Sequence, residues 1–378
     1  MLIPFAMAFQ EHAIANESAV VTFNVTKSRS FSTESFSFKV FKLFCYSLVF
    51  VLGVLGNVLV FRMVMKRRKL RTVSNLFICN LAAADIAVLT VNLPFRLAYQ
   101  ENSYIWPFGA VLCKTIPTLA YVFITASSMT LVLMTIDQYR AIVKPLGRRF
   151  TVKTTKFAIM LIWTFSVLIA LPFNFALRVV KRRDSQPVCT DTWPSDKFEQ
   201  FYFLSLFVVQ FVIPMTIIVC CYTLICGHLN SKTRLDHLTC TSTRQRSDRN
   251  KKVIKMLVVI AAVYALFTLP YHVTWLLSVF GYPNSVAKKL CVLLVIATSA
   301  AHPIIYGTLN QEFNKGFKAF FRCLRQKEND EYRLDSTIAT RRLVGTTTRT
   351  DHVKWRDIHK RKQTEEDEEV EKQLVTCV

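Results

Sequence analysis

Seven long apolar stretches, separated by short polar and basic segments, leave this chain few ways to fold. They run over 43–65, 75–97, 110–136, 157–177, 202–227, 253–280 and 290–309. A hydrocarbon slab takes about 20 apolar residues of helix to cross. An open sheet cannot cross it, because the N–H and C=O groups on its edges would go unpaired. The expectation is an all-α membrane fold, a seven-transmembrane helix bundle. Residues 1–42 would form an extracellular N-terminal segment and 43–309 the bundle. A short amphipathic cytoplasmic helix over 310–324 and a disordered cytoplasmic tail over 325–378 complete the organisation. An odd number of crossings puts the two ends on opposite sides.

The formal net charge of +23 does not point to nucleic acid, because the charge falls where topology needs it. The first loop carries Lys66, Arg67, Arg68, Lys69 and Arg71. The third carries Arg140, Lys144, Arg148, Arg149 and Lys153, and the fifth Lys232, Arg234, Arg244, Arg246, Arg249, Lys251 and Lys252. These alternate loops share one side, and an excess of Lys and Arg marks the cytoplasm. The loop after span four is mixed in charge. A multi-pass plasma-membrane protein is expected, with its N-terminus outside and its C-terminus inside. Asn16 and Asn24 fit the Asn-x-Ser/Thr acceptor of glycosylation, and both precede the first span. The first residues lack a basic start and a cleavage site, so span one is read as the targeting signal.

Cysteine usage follows the same topology. Cys113 opens span three on the outer side and Cys189 lies in the outer loop after span four. Only outer thiols meet an oxidising compartment, which makes these two the natural disulfide pair. Cys45 and Cys291 also lie near outer ends, and whether they pair is left open. Cys79, Cys220, Cys221 and Cys226 fall in or near spans as packing residues. Cys323 follows an amphipathic stretch and is a candidate for S-palmitoylation.

Polar residues inside spans are costly and point to function. Asn57 follows Gly53 and Gly56 in span one, and reads first as an interhelical hydrogen-bonding residue. Asp85 lies mid-span and needs a cation, a proton or hydrogen-bond donors. Prolines recur at 94, 117, 172, 214, 270 and 303. Each removes a backbone hydrogen bond and can kink its helix, which favours a bundle that moves. No clustered nucleophile, metal-ligand set or phosphate loop is present, so the chain is not read as an enzyme and no metal site is expected.

Taken in order, Gly56-Asn57, Asn80 to Asp85, Trp106-Pro107-Phe108-Gly109, Cys113, Asp137-Gln138-Tyr139, Trp163, Pro172, Cys189, Pro214 with Tyr222, Leu269-Pro270-Tyr271 and Pro303 to Tyr306 resemble the rhodopsin-like (class A) G protein-coupled receptors. The resemblance runs from span one through the short helix after span seven. It implies a heterotrimeric G protein contacted near Asp137, Gln138, Tyr139 and Tyr222. It implies a switch built on Asn57, Asp85, Ser127, Thr268, Pro270, Thr298, Ser299, His302, Pro303 and Tyr306. Three positions depart from the family. Gln138 replaces an arginine, Thr268 a tryptophan and His302 an asparagine. Glutamine lacks both the charge and the fork of donors of arginine. These departures leave open an atypical, non-signalling or decoy peptide-binding receptor. No cofactor is expected. The family's sodium ion at Asp85 is doubtful, because an imidazole beside the carboxylate would act as an internal cation.

Ala120 stands where amine receptors of the family carry an aspartate, and Ile296 where opsins carry a lysine. The run Cys189-Thr190-Asp191-Thr192-Trp193-Pro194 instead resembles receptors for neuropeptide Y, neuropeptide FF, orexin and tachykinin-like peptides. The resemblance implies an extracellular peptide, which the acids of that loop would suit if it were basic. Tyr99, Tyr121, Phe175, Asp191, Trp193, Tyr202, Tyr271, His272 and Trp275 are the candidate ligand residues. At the other end Phe313, Phe317, Phe320 and Phe321 share a helix face beside basic residues, the pattern of a helix lying on membrane lipid. Ser336, Thr337 and Thr346 to Thr348 are candidate sites for receptor kinases and arrestin. The run Glu365 to Glu369 reads as solvated. Thr376-Cys377-Val378 fits the ending captured by PDZ-domain scaffolds.

Overall fold

The computed structural model describes residues 35–66, 70–144, 147, 150–182, 185–235, 241–282, 285–322 and 325, with backbone alone at 230–235, 241–252 and 285. The chain divides into two compact units, Met1–Leu43 and Phe44–Val378. Of the first, 35–43 is described and is the leading part of a helix. The second carries the rest of that helix and all later elements. Asn16, Asn24, Cys323 and the tail residues named above lie outside the described residues.

Seven helices are long and apolar enough to cross a membrane: Phe36–Lys66, Val73–Glu101, Gly109–Val143, Val152–Ala176, Asp196–Leu229, Val253–Val279 and Val286–Leu309. They are spans one to seven. Most outrun the apolar stretches, because polar residues end hydropathy without ending a helix. Span three continues to Val143 rather than stopping at Ile136. Three spans begin at a hydroxyl cap. Thr72 accepts from the Asn75 N–H, Thr151 from Thr154 and Ser195 from Phe198, which satisfies one orphan donor each.

The bundle is apolar on its outside. Leu55, Leu168 and Leu266 are 61%, 59% and 68% exposed, while Asn57, Asp85, Gln210 and His302 are buried. Span three runs through the middle and packs on spans two, four and five. Asn80 ties three helices together. Its amide donates to Thr130 Oγ1 at 2.8 Å, and its carbonyl oxygen accepts from the Trp163 indole at 2.9 Å.

The prolines act by what they leave unpaired. Pro303 has no N–H for the carbonyl of Ser299, four residues back. Asn57 of span one supplies it, its Nδ2 donating to Ser299 O at 2.8 Å and to Gly53 O at 2.9 Å. Gly56 permits the approach: a Cβ there would lie 2.6 Å from the Pro303 ring. Pro214 likewise strands the carbonyl of Gln210. The Tyr264 hydroxyl of span six donates to that carbonyl at 2.8 Å.

Spans two and five each contain a π turn, at Val88–Asn92 and Val208–Val212. The Leu93 N–H reaches Val88 O and the Ile213 N–H reaches Val208 O, five residues back. Pro94 and Pro214 follow at once. The wider turn accommodates a residue that cannot hold a regular ladder.

Between spans four and five the chain forms an antiparallel hairpin, β1 (Leu177–Lys181) and β2 (Pro187–Asp191), with Val179 opposite Cys189. It marks one end of the bundle, the hairpin end. At the opposite, far end a helix over 311–322 follows span seven. Asn310 Oδ1 accepts the Glu312 N–H at 3.0 Å as its cap. Phe313 is buried against Tyr306, with ring centroids 6.0 Å apart, whereas Phe321 faces out.

Replacing Asn57 with Ala should leave the Ser299 carbonyl unpaired and cost about 1–3 kcal/mol, the desolvation penalty of one buried acceptor. The loss should shrink in a Pro303→Ala background, where residue 303 regains an N–H. Thermal unfolding of the detergent-solubilised protein checks both. Equal losses in the two backgrounds would count against the pairing.

Candidate functional site

A cavity of about 60 Å³ opens within the bundle between spans two, three, six and seven. Its floor is polar. Asp85 Oδ2 accepts a hydrogen bond of 2.7 Å from His302 Nδ1, and both side chains are almost wholly buried. A carboxylate that accepts there fixes the hydrogen on Nδ1, so the imidazole cannot also offer Nδ1 as an acceptor. His302 stacks on Tyr306, with centroids 6.3 Å apart. Ser127, Thr268, Thr298 and Ser299 line the same cavity. The Thr268 hydroxyl donates to Tyr264 O on its own helix. Among the described residues, His302 Nε2, Tyr306 OH and Asn57 Oδ1 have no hydrogen-bond partner.

The walls above the floor are mostly apolar, with Val88, Ala120, Ile124, Val292, Val295 and Ile296. Two polar side chains interrupt them from span two. Asn92, in the π turn, donates to Ile116 O of span three at 2.9 Å. Arg96 lies one turn nearer the hairpin end, half-buried, and has no partner among the described residues. Sequence reasoning passed over Arg96. The signal was a lone cation inside an apolar run, just after Pro94.

The hairpin end is closed by a pinned lid. A disulfide joins Cys113 to Cys189, with Cα atoms 5.6 Å apart. Three hydrogen bonds reinforce it, and a fourth braces Trp106 itself. The Tyr99 hydroxyl donates to Cys189 O at 3.0 Å, and the Trp106 N–H donates to Pro187 O at 2.8 Å. The Thr192 N–H reaches Ala176 O at 2.9 Å, and the Trp106 indole donates to Gly109 O at 2.9 Å. Gly109 sits at φ 79°, a left-handed turn that glycine takes without steric cost. Cys45 and Cys291 are free thiols.

The candidate ligand residues fall into three groups. Tyr271 lines the cavity. Tyr121, His272 and Trp275 line an adjoining recess with Gln210 and Phe203, in which Gln210 Oε1, His272 Nε2 and Trp275 Nε1 lack partners among the described residues. Tyr99 and the Asp191–Trp193 pair belong to the lid. The Trp193 indole donates to Asp191 Oδ2 at 2.7 Å, and its ring lies 4.9 Å from that of Tyr202. Phe175 is a correction. It is 62% exposed and faces away from the bundle, while Phe173 is buried and meets Tyr121 edge-on at 4.8 Å. Two residues turn a helix by about 200°, so of this pair Phe173 points inward.

At the far end, Ser74 of span two joins both polar residues of the Asp137-Gln138-Tyr139 run. Its hydroxyl donates to Asp137 Oδ2 at 3.1 Å and accepts from Gln138 Nε2 at 3.0 Å. The Thr135 hydroxyl meets the Tyr222 hydroxyl at 3.4 Å. Arg140 stacks on Phe150, 5.1 Å from the ring centre, and does not stand in for the missing arginine.

His302→Leu would leave the Asp85 carboxylate buried without its donor, a loss of about 3–5 kcal/mol. His302→Asn keeps an amide donor near the same oxygen and should lose less. Melting temperatures of the purified variants rank the two. If the leucine variant is as stable as the asparagine variant, the hydrogen bond contributes nothing.

The family model described as 7 transmembrane receptor (rhodopsin family) matches residues 56–306. Among curated proteins, galanin receptor type 1 of Mus musculus is 30% identical over 288 residues, covering 74% of this chain and 80% of that protein. Neuropeptide Y receptor type 2 of Homo sapiens is 30% identical over 322 residues, covering 81% and 80%. Substance-P receptor of Aquarana catesbeiana is 29% identical over 308 residues, covering 77% and 74%. With its seven spans and pinned hairpin lid, this chain belongs to the rhodopsin family of seven-transmembrane receptors.

Proposed function

We propose that the protein is a plasma-membrane receptor for an extracellular neuropeptide that signals through a heterotrimeric G protein. The observation that carries this is the set of relatives named as receptors for galanin, neuropeptide Y and substance P, each matched over at least 74% of this chain. As a member of that family the chain is a receptor and not an enzyme. In this reading the hairpin end faces outside and the far end the cytoplasm, in line with the basic loops. The peptide rests on the lid wall of Asp191, Trp193 and Tyr202 and reaches past Tyr271 into the cavity. The recess at Tyr121, His272 and Trp275 offers it unpaired polar atoms.

Activation is a population shift. Peptide in the cavity favours a state with span six moved outward at the far end. Tyr264, Thr268 and Pro270 lie on the moving span, and Asn57, His302, Pro303 and Tyr306 at its neighbours. The motion opens a crevice at Asp137, Gln138, Tyr139 and Tyr222 for the G protein. Receptor kinases and arrestin act on Ser336, Thr337 and Thr346 to Thr348. A PDZ scaffold takes Thr376-Cys377-Val378, a palmitoyl chain sits on Cys323, and the terminal helix lies on lipid.

Sodium does not fit this reading. Sodium takes oxygen ligands, and one oxygen of Asp85 already holds the His302 N–H at 2.7 Å. Ser127 and Thr298 supply hydroxyls, but the histidine offers the carboxylate a hydrogen where the ion would stand.

The test is a second-messenger screen of a synthetic neuropeptide library on cells that display the receptor. A response supports the reading. Peptide uptake with no response in any G protein pathway would favour a scavenging receptor instead.

Two further outcomes are expected. Gln138→Arg places a guanidinium beside Asp137 and should shift the balance of basal to stimulated signalling roughly 10- to 100-fold, the worth of one charge-assisted hydrogen bond. Peptide affinity should stay unchanged at matched surface expression. Unaltered signalling would make residue 138 silent. Exchanging sodium for a large organic cation at constant ionic strength should leave agonist affinity unchanged. A strong sodium effect, equal in wild type and His302→Asn, would refute the poor fit.

A further inference from the structure

The cavity holds an unmatched charge. Its lining includes two formally charged side chains, Asp85 and Arg96. Asp85 is at the floor and is engaged by His302 at 2.7 Å. Arg96 is eleven residues further along span two, on the order of 16 Å nearer the hairpin end at the helical rise. Its guanidinium is half-buried and has no partner among the described residues. An arginine near a helix end usually reaches for the membrane surface, with its charged head in water. Arg96 instead lines the cavity, among Val88, Ala120, Val292, Val295 and Ile296. In such surroundings a cation without a counter-charge is costly, and an arriving anion is correspondingly favoured.

Other cations stand at that end. Lys288 Nζ lies 4.7 Å from the Trp275 ring centre and Lys289 Nζ 5.9 Å from that of Tyr104. Arg178 is exposed on β1. Among the described residues the acids there, Glu101, Asp191, Asp196 and Glu199, sit on the lid and on helix ends and do not line the cavity. Asp191 is turned onto the Trp193 indole. The sequence suggested that loop acids would suit a basic peptide. Inside the cavity the charge nearer the hairpin end is positive instead.

Size narrows the occupant. The cavity measures about 60 Å³, well below the roughly 300–1,000 Å³ of a typical small-molecule site. As it stands it admits an end group and not a folded ligand. We propose that the ligand enters by an anionic end group, a C-terminal carboxylate or an acidic side chain, which docks on the Arg96 guanidinium. The fork of donors suits a carboxylate held by two parallel hydrogen bonds. This proposal rests on the peptide reading above and specifies its chemistry.

The experiment uses the full-length receptor on intact cells and synthetic peptides in matched pairs. One arm compares each free C-terminal acid with its amide. A second compares Asp or Glu with Asn or Gln at each acidic position. Removing the anion from an active peptide should lower potency roughly 10- to 100-fold on wild type, the value of one charge-assisted hydrogen bond. The arm that shows the drop identifies the source. On Arg96→Gln the same change should have no further effect, and Arg96→Lys should fall between. If Arg96→Gln does not reach the surface, the paired peptides on wild type decide alone. Active peptides indifferent to loss of every carboxylate, or equally potent on Arg96→Gln, overturn the proposal and leave the peptide reading standing. No response to any member of either charge class overturns that reading, and the proposal with it.

Discussion

A peptide carbonyl in hydrocarbon has no solvent to fall back on, and this bundle is organised around carbonyls that proline has stranded. Two are met by side chains from other spans. Asn57 answers Ser299 and Tyr264 answers Gln210. These are interhelical bonds with a specific address, since each is the place where the acceptor's own ladder fails. They join span one to seven and span six to five. Gly56 belongs to the same device, because only a missing side chain lets the span-one backbone come so near Pro303. A helix joined at such points can pivot there at modest cost. The regular ladder on either side stays intact.

The polar interior forms a continuous line toward the far end. Asp85 holds His302, His302 stacks on Tyr306, and Tyr306 packs on Phe313 of the terminal helix. Three of its polar atoms, His302 Nε2, Tyr306 OH and Asn57 Oδ1, have no partner among the described residues. At the far end Gln138 is neutral where the family carries an arginine. Ser74 bridges Asp137 and Gln138, with one bond to a carboxylate and one between neutral groups. The neutral one is weaker than a bond to an ionised partner.

Much of this was legible in the sequence, and the reason is the solvent. Seven apolar runs report seven helices because lipid allows little else. Cys113 and Cys189 were readable from topology and from the family's pattern. Asp85 and His302 were each legible as unusual, one a lone carboxylate and the other a replacement for the family's asparagine, but their contact is what the structure adds. What escaped was angular. Hydropathy counts apolar residues without saying which way each points, so Phe175 was chosen where Phe173 turns inward. The π turns left no hydropathy trace, although each precedes a proline. Arg96 was hidden inside an apolar run whose average concealed it.

Each π turn is a helical turn carrying one residue too many. Removing a residue from Val88–Asn92 would return span two to regular winding and rotate everything beyond it by about 100°. The core below, from Asn80 to Asp85, would not move. Arg96 would swing off the cavity and another residue would take its bearing. On the docking proposed at Arg96, chain length at that one place is a dial on ligand chemistry. A lineage could retune what its receptor recognises through a single codon gained or lost, with no substitution in the wall of the cavity.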